Sequence, residues 1–163
     1  MLHRSIKQTL DDIVIELATT SDAPELTYLF KRFFDEAGYK ERGVVFHPGK
    51  TEAWLDCVIE NGSYPHIVAR REGVIIGVVS YDLDDTFCEQ PVAVMGTIYV
   101  EPYYRKSAVG AMLLGLACEC AQGDGAVAFH APVASEMAET ASLQNLLIKA
   151  GFDPVGFIMG RRL

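Results

Sequence analysis

Short β-branched runs alternate along the chain with longer stretches whose apolar residues recur every three or four positions, the rhythm of strands feeding helices. Ile13-Val14-Ile15-Glu16-Leu17 is the first strand-like run. Ser21 and Asp22 then offer helix caps and Pro24 suits a first turn. Leu26, Leu29, Phe30, Phe33 and Ala37 share one face of the helix this opens, and Gly38 stops it. A loop to Gly49 leads into a short helix carrying Trp54, Leu55 and Val58, which ends near Asn61-Gly62. Residues 66–70 and 74–81 are two strands joined by a hairpin at Arg71-Glu72-Gly73, and residues 82–89 form a polar loop. A strand over 92–100 stops at Glu101-Pro102, because proline cannot continue a central ladder. The spacing of Val109, Met112, Leu113, Leu116, Ala117 and Cys120 predicts a helix over 107–122, closed by Gly123 and Gly125. A short strand over 126–130, a helix over 135–150 ended by Gly151, and a last strand over 155–161 complete the chain. Strands followed by helices imply some parallel pairing and the central hairpin implies an antiparallel half, so the expected architecture is an α/β (α+β) domain with a mixed sheet covered by helices.

Composition narrows this little. The chain has 163 residues, half of them hydrophobic and 22% charged, which suits a single globular domain spanning 1–163, with 1–12 as a mobile or peripheral N-terminus. No apolar run approaches the roughly 20 residues of a membrane span, and the polar start lacks the core of a signal peptide, so a cytoplasmic location and no membrane partner are expected. The net charge of −8 repels phosphate backbones and argues against nucleic acid. Cys57, Cys88, Cys118 and Cys120 form no C-x-x-C pair and are expected to be reduced, mostly buried packing residues. His3, His47, His66 and His130 have no metal-ligand spacing, so no metal is expected. Gly43 to Thr51 ends like a phosphate-binding loop, but five residues rather than four separate its glycines and it follows a helix.

The segment richest in chemistry is Ile98-Tyr99-Val100-Glu101-Pro102-Tyr103-Tyr104-Arg105-Lys106-Ser107-Ala108-Val109-Gly110-Ala111. A strand ends at a proline, and a turn of small residues opens an amphipathic helix. Amides at a helix N-terminus carry partial positive charge, small side chains let an anion approach them, and Arg105 and Lys106 add full charges. That is a cradle for a pyrophosphate.

The same segment resembles motif A of the GNAT superfamily of N-acetyltransferases, whose signature is Q/R-x-x-G-x-G/A after a strand ending V-x-P. Val100-Glu101-Pro102 matches the strand end, and Arg105, Val109, Gly110, Met112 and Leu113 fit the turn and helix, with Ala108 in place of the first glycine. Lys149-Ala150-Gly151-Phe152 is similar to the family's K-x-G-F ending, and the order of elements fits over most of the chain. The resemblance implies a mostly antiparallel sheet that splays between the strands at about 92–100 and 126–130. It implies acetyl transfer from acetyl-coenzyme A, as co-substrate, to a small-molecule or protein amine. The pantetheine arm would lie in the splay on the backbone of Ile98, Tyr99 and Val100, and the pyrophosphate on the amides of Arg105, Lys106, Ser107, Ala108, Val109, Gly110 and Ala111. A homodimer through the last strand is open by the same analogy.

The resemblance also has gaps. Relatives often carry a Tyr four residues before the glycine of that ending, where Leu147 stands here, and a carboxylate on the strand before motif A, where Val94 and Gly96 stand. Glu101, His130 and Tyr104 are the candidate substitutes for acid–base work. In this fold the first two helices wall the acceptor site. Phe30 and Phe33 lie on the core stripe, which leaves Tyr28 and Phe34 as candidate acceptor contacts. The alternative to an enzyme is a non-catalytic module of the same fold that binds coenzyme A or a protein.

Overall fold

The structure, a computed structural model, describes residues 7–86, 89–133 and 140–156. Among the described residues six strands form one sheet in chain order: β1 (Lys7–Leu10), β2 (Ile13–Leu17), β3 (His66–Arg71), β4 (Val74–Asp84), β5 (Val92–Val100) and β6 (Ala128–His130). Neighbours from β1 to β5 pair antiparallel, and β5 pairs β6 parallel, so the sheet is mixed and mostly antiparallel as expected.

Helices α1 (Ala23–Glu36) and α2 (Pro48–Asn61) cover one face, while α3 (Val109–Gly123) and α4 (Thr140–Lys149) cover the other. The β period of two divides the strand residues between them. Val68, Val78 and Tyr99 meet Leu26, Leu29, Phe30 and Leu55 on the first face. Ile67, Val79, Tyr81, Ala93 and Met95 meet Leu113, Leu114, Leu116 and Leu147 on the second.

Some boundaries differ from the sequence reading. Lys7–Leu10 is an edge strand that the polar alternation there did not reveal; it joins β2 through a two-residue turn in which Asp11 adopts a left-handed φ of 54°, a conformation aspartate tolerates. β4 runs on to Asp84, into the expected polar loop, because its last residues pair with Val92 to Val94. Cys57 is exposed on the outer face of α2 rather than packed. Residues 155 and 156 form no strand, and the rest of the expected last strand, like Cys88 and the start of the expected helix at 135, lies outside the described residues.

Two irregularities in β5 shape the centre of the sheet. Ser80 pairs with Thr97 and Tyr81 with Met95, so Gly96 has no partner on β4 and forms a β-bulge. On its other side β5 pairs with β6 only at Val92, Ala93 and Val94. Among the described residues nothing pairs with that edge from Met95 to Val100.

Candidate active site

One side of the candidate site begins where β5 ends. The Glu101 amide donates to Ile76, Pro102–Tyr104 form one turn of 3-10 helix, and α3 starts at Val109. A helix leaves its first four amides without intrahelical acceptors. Here the Val109 amide is taken by the Ser107 hydroxyl, which itself donates to the Tyr104 carbonyl. The amides of Ala108, Gly110 and Ala111 have no acceptor among the described residues, and the side chains there are only methyl groups or hydrogen. The Lys106 side chain is exposed beside them. Gly110 also has a packing role: a Cβ there would lie 3.2 Å from Leu146 on α4, so the glycine lets α3 and α4 approach.

Arg105 does not reach outward. Its Nε donates to the Val100 carbonyl at 2.8 Å, its Nη2 pairs with Glu36 of α1, and its guanidinium lies over the Tyr99 ring. Glu36 also accepts from the Tyr99 hydroxyl at 2.7 Å; burial and this carboxylate hold the phenol far above its ordinary pKa. Glu101 pairs with Arg32 of α1 at 2.7 Å. Two ion pairs therefore tie the turn to α1.

The other side of Gly96 faces α1 and α2. A pocket of about 370 Å³ is walled there by Phe30, Phe33, Phe34, Phe46, Trp54 and Tyr64, with Lys50 and Thr51 at its rim and Ser80 and Thr97 on the sheet. A second hollow of about 470 Å³ adjoins it along the sheet, lined by Asp82, Asp84, Val94 and Gly96, and Tyr64 borders both. The Tyr64 hydroxyl rests directly on Gly96: a Cβ built there would fall 1.7 Å from the phenolic oxygen. A glycine inside a strand often marks such a close approach. Burial, with the Asp82 charge second, raises the Tyr64 pKa, and a hydrogen bond from Ser80 partly offsets them.

His66 lies beneath this pocket, 2% exposed, its ring against those of Phe30, Trp54 and Tyr64. Nδ1 is 2.7 Å from the Tyr64 carbonyl, which can only accept, so Nδ1 carries the proton. Nε2 is buried with no partner among the described residues. Burial lowers the His66 pKa to about 4, and the imidazole is neutral at pH 7.

The sequence-predicted residues distribute unevenly over this geometry. Ile98, Tyr99 and Val100 end β5, and the turn from Arg105 to Ala111 leads into α3, with the Tyr99 and Val109 side chains buried in the core. Phe34 lines the aromatic pocket, joined there by Phe30 and Phe33, which pack and line at once. Tyr28 points away, 64% exposed, because two residues of helix separate it from both Leu26 and Phe30 and turn it to the outer face. Glu101, Tyr104 and His130 are not brought together. Glu101 and Tyr104 lie beyond the C-terminal end of β5, with the Tyr104 ring near Arg71, while His130 sits opposite Val94 at the closed end of the splay. Leu147 is buried in the aliphatic core. Sequence reasoning missed Tyr64, His66 and Trp54; the one local signal was the bare Gly96 in the middle of a strand. Among the described residues no cluster of His, Cys, Asp and Glu could hold a metal ion, and no helix is long and apolar enough to cross a membrane.

Comparison with known proteins agrees with this fold. The family model described as Acetyltransferase (GNAT) family matches residues 23–152. Among solved structures, the aminoglycoside N-acetyltransferase AAC(6')-Iy in complex with CoA superposes with a TM-score of 0.76 at 16% identity, over 100% of this chain and 99% of that one. An acetyltransferase of Trypanosoma brucei gives a TM-score of 0.69 at 18% identity over 93% and 100% of the two chains. Glucosamine-6-phosphate N-acetyltransferase from Arabidopsis thaliana gives 0.72 at 12% identity over 93% and 98%. No curated protein matches the sequence.

Proposed function

The chain belongs to the GNAT acetyltransferase family, and from that premise we propose that it is an N-acetyltransferase that moves the acetyl group of acetyl-coenzyme A to an amine by direct attack. The observation that carries the reading is the junction at Gly96. Among the described residues an unpaired strand edge leads back from the amide cradle to the bulge, and Tyr64, whose hydroxyl rests on Gly96, is a wall of the aromatic pocket.

The residues suit such a donor. The amides of Ala108, Gly110 and Ala111 offer donors to a pyrophosphate at the positive end of a helix of 15 residues. The β5 edge from Ile98 to Val100 offers the backbone groups that an extended arm with amides would pair with, as an added strand does. The gap closes at Val94, so an arm lying along β5 from the cradle ends near Gly96. When bound, acetyl-coenzyme A supplies an activated acyl group that an amine can attack. The chain's share is to hold the two reactants in line, to keep water out with the aromatic wall, and to place backbone N–H groups of the bulged strand near the developing oxyanion. Arg105 acts as a brace of the turn, and Lys106 is the exposed cation beside the cradle. Glu101, held by Arg32, and His130 and Tyr104 are less well placed for the proton steps than the sequence alone suggested. An acyl donor made inside cells supports a cytoplasmic site of action.

Leu147, buried where many relatives carry a Tyr, favours the second reading of a non-catalytic module that binds coenzyme A. Two measurements separate them. Calorimetric titration with acetyl-coenzyme A is expected to show binding, and thiol release with a panel of primary amines from 2-phenylethylamine to spermidine and kanamycin is expected to show turnover. Binding without turnover on any amine supports the second reading, and absence of binding overturns both.

A further inference from the structure

We propose that the Tyr64 hydroxyl is the catalytic hydrogen-bond donor to the sulfur that leaves the acetyl group; this rests on the N-acetyltransferase reading above. Tyr64 is on neither of the segments where the family resemblance placed an acid. It precedes β3, in the connection that leaves α2.

Three observations converge on it. Its oxygen occupies the space a side chain at position 96 would fill, so the empty position on β5 is filled from the connection between α2 and β3. It stands at the bulge, two residues beyond Val94, where β5 and β6 part and where an arm lying in the gap must end. It borders both the aromatic pocket and the hollow lined by Asp82 and Asp84, so an amine entering by either route meets it.

The groups around it fix its state. Asp82 of β4 contributes a negative charge, Ser80 of β4 a hydrogen bond, and His66 of β3 a neutral ring, while Trp54 of α2 packs edge-on against the phenol ring. Burial and Asp82 keep the phenol protonated at neutral pH, so it donates a hydrogen bond without surrendering its proton.

In the transfer step the amine lone pair forms the C–N bond and the C–S bond breaks, its electron pair passing to sulfur. The Tyr64 O–H stabilises that charge. The proton lost by the attacking nitrogen goes to solvent, and the thiolate takes one back from solvent.

The test reads the thiol itself and needs no acceptor. Coenzyme A is bound to the protein and its thiol titrated by the ultraviolet absorbance of the thiolate. A hydrogen bond to a charged atom shifts a pKa by about one to two units, so the bound thiol of the wild type is expected that much below the one bound to Tyr64→Phe. The Phe variant keeps the ring against Trp54 and His66. Its kcat on the best amine of the panel is expected to drop about 100-fold, with KM for acetyl-coenzyme A little changed. Gly96→Ala, which leaves the hydroxyl present but displaces it, is expected to raise the bound thiol pKa in the same direction. Equal thiol pKa values in wild type and Tyr64→Phe, with coenzyme A bound to both, overturn the proposal and leave the N-acetyltransferase reading standing. Failure of the wild type to bind coenzyme A overturns that reading, and the proposal with it.

Discussion

The turn between β5 and α3 and the pocket beneath α1 and α2 are put together in opposite ways. The turn is one uninterrupted segment, 98–111, and the atoms proposed to work there are backbone amides. The pocket draws on α1, α2, β4 and β5 and on the connection before β3, and its working atoms belong to side chains up to 67 positions apart, from Phe30 to Thr97. On the proposed reading, the first construction should tolerate a change of residue type provided the side chain stays small and uncharged, as with Ala108 in place of glycine. The second depends on registers, so that one residue's shape, Gly96, sets where another's hydroxyl can lie.

That contrast is open to attack, first at the turn. Ala108→Glu puts a like charge where a pyrophosphate would sit, at an exposed position that leaves the core untouched. Like-charge juxtaposition costs several kcal/mol, and acetyl-coenzyme A affinity is expected to fall about 100-fold or more. Calorimetry beside a thermal melt checks it; retained affinity in the folded variant would mean the amides do not form the donor site.

The pocket side is tested through His66. Its folded pKa of about 4 lies below the ordinary 6.5, so the unfolded chain takes up a proton between those values and the folded one does not. The contribution is complete above about pH 6.5 and is lost as pH falls toward 4, on the order of 3 kcal/mol in all. Denaturant unfolding from pH 7 to pH 4 is expected to show this slope in the wild type. In His66→Asn, whose amide nitrogen can replace Nδ1, the slope should flatten; parallel curves for the two proteins would refute it.

The junction itself is tested by Gly96→Ala. The added carbon cannot share space with the Tyr64 hydroxyl, and displacing the ring is expected to cost about 1–3 kcal/mol. Combining it with Tyr64→Ala should cost less than the sum of the single changes. Additive losses in chemical denaturation would mean that the two residues do not compete for one space.

The same division explains what could be read from the sequence. Element order, the mixed sheet and the strand–turn–helix proposed as the donor turn rest on local rhythm, on proline and glycine, and on a motif contained in 98–111. Phe34 could be placed because its helix face follows from spacing, and Tyr28 misled because off-stripe residues on a helix face two different ways. Tyr64 could not be found, because its meeting with Gly96 requires the registers of β3 on β4 and β4 on β5, including the bulge, and no short pattern encodes those. Lys7–Leu10 was missed for a related reason: an edge strand with one partner needs no apolar face.

Glu36 joins the two constructions, and removing its charge asks how independent the turn is. Its carboxylate pairs with Arg105 and accepts from Tyr99, while Arg105 keeps its bond to the Val100 carbonyl and its place over the Tyr99 ring without it. Glu36→Gln retains an acceptor for Tyr99. Because the pair is more than a third exposed on the glutamate side, solvent screens it, and the loss of stability is expected to stay below about 1 kcal/mol. Coenzyme A affinity is expected to rise about two- to threefold, since a negative charge leaves the neighbourhood of the cradle and Arg105 is less tightly held by α1. If titration instead shows weaker binding at unchanged stability, the Glu36 charge is what shapes the turn, and the donor site would then be, like the pocket, an assembly across distant segments rather than a self-sufficient stretch of chain.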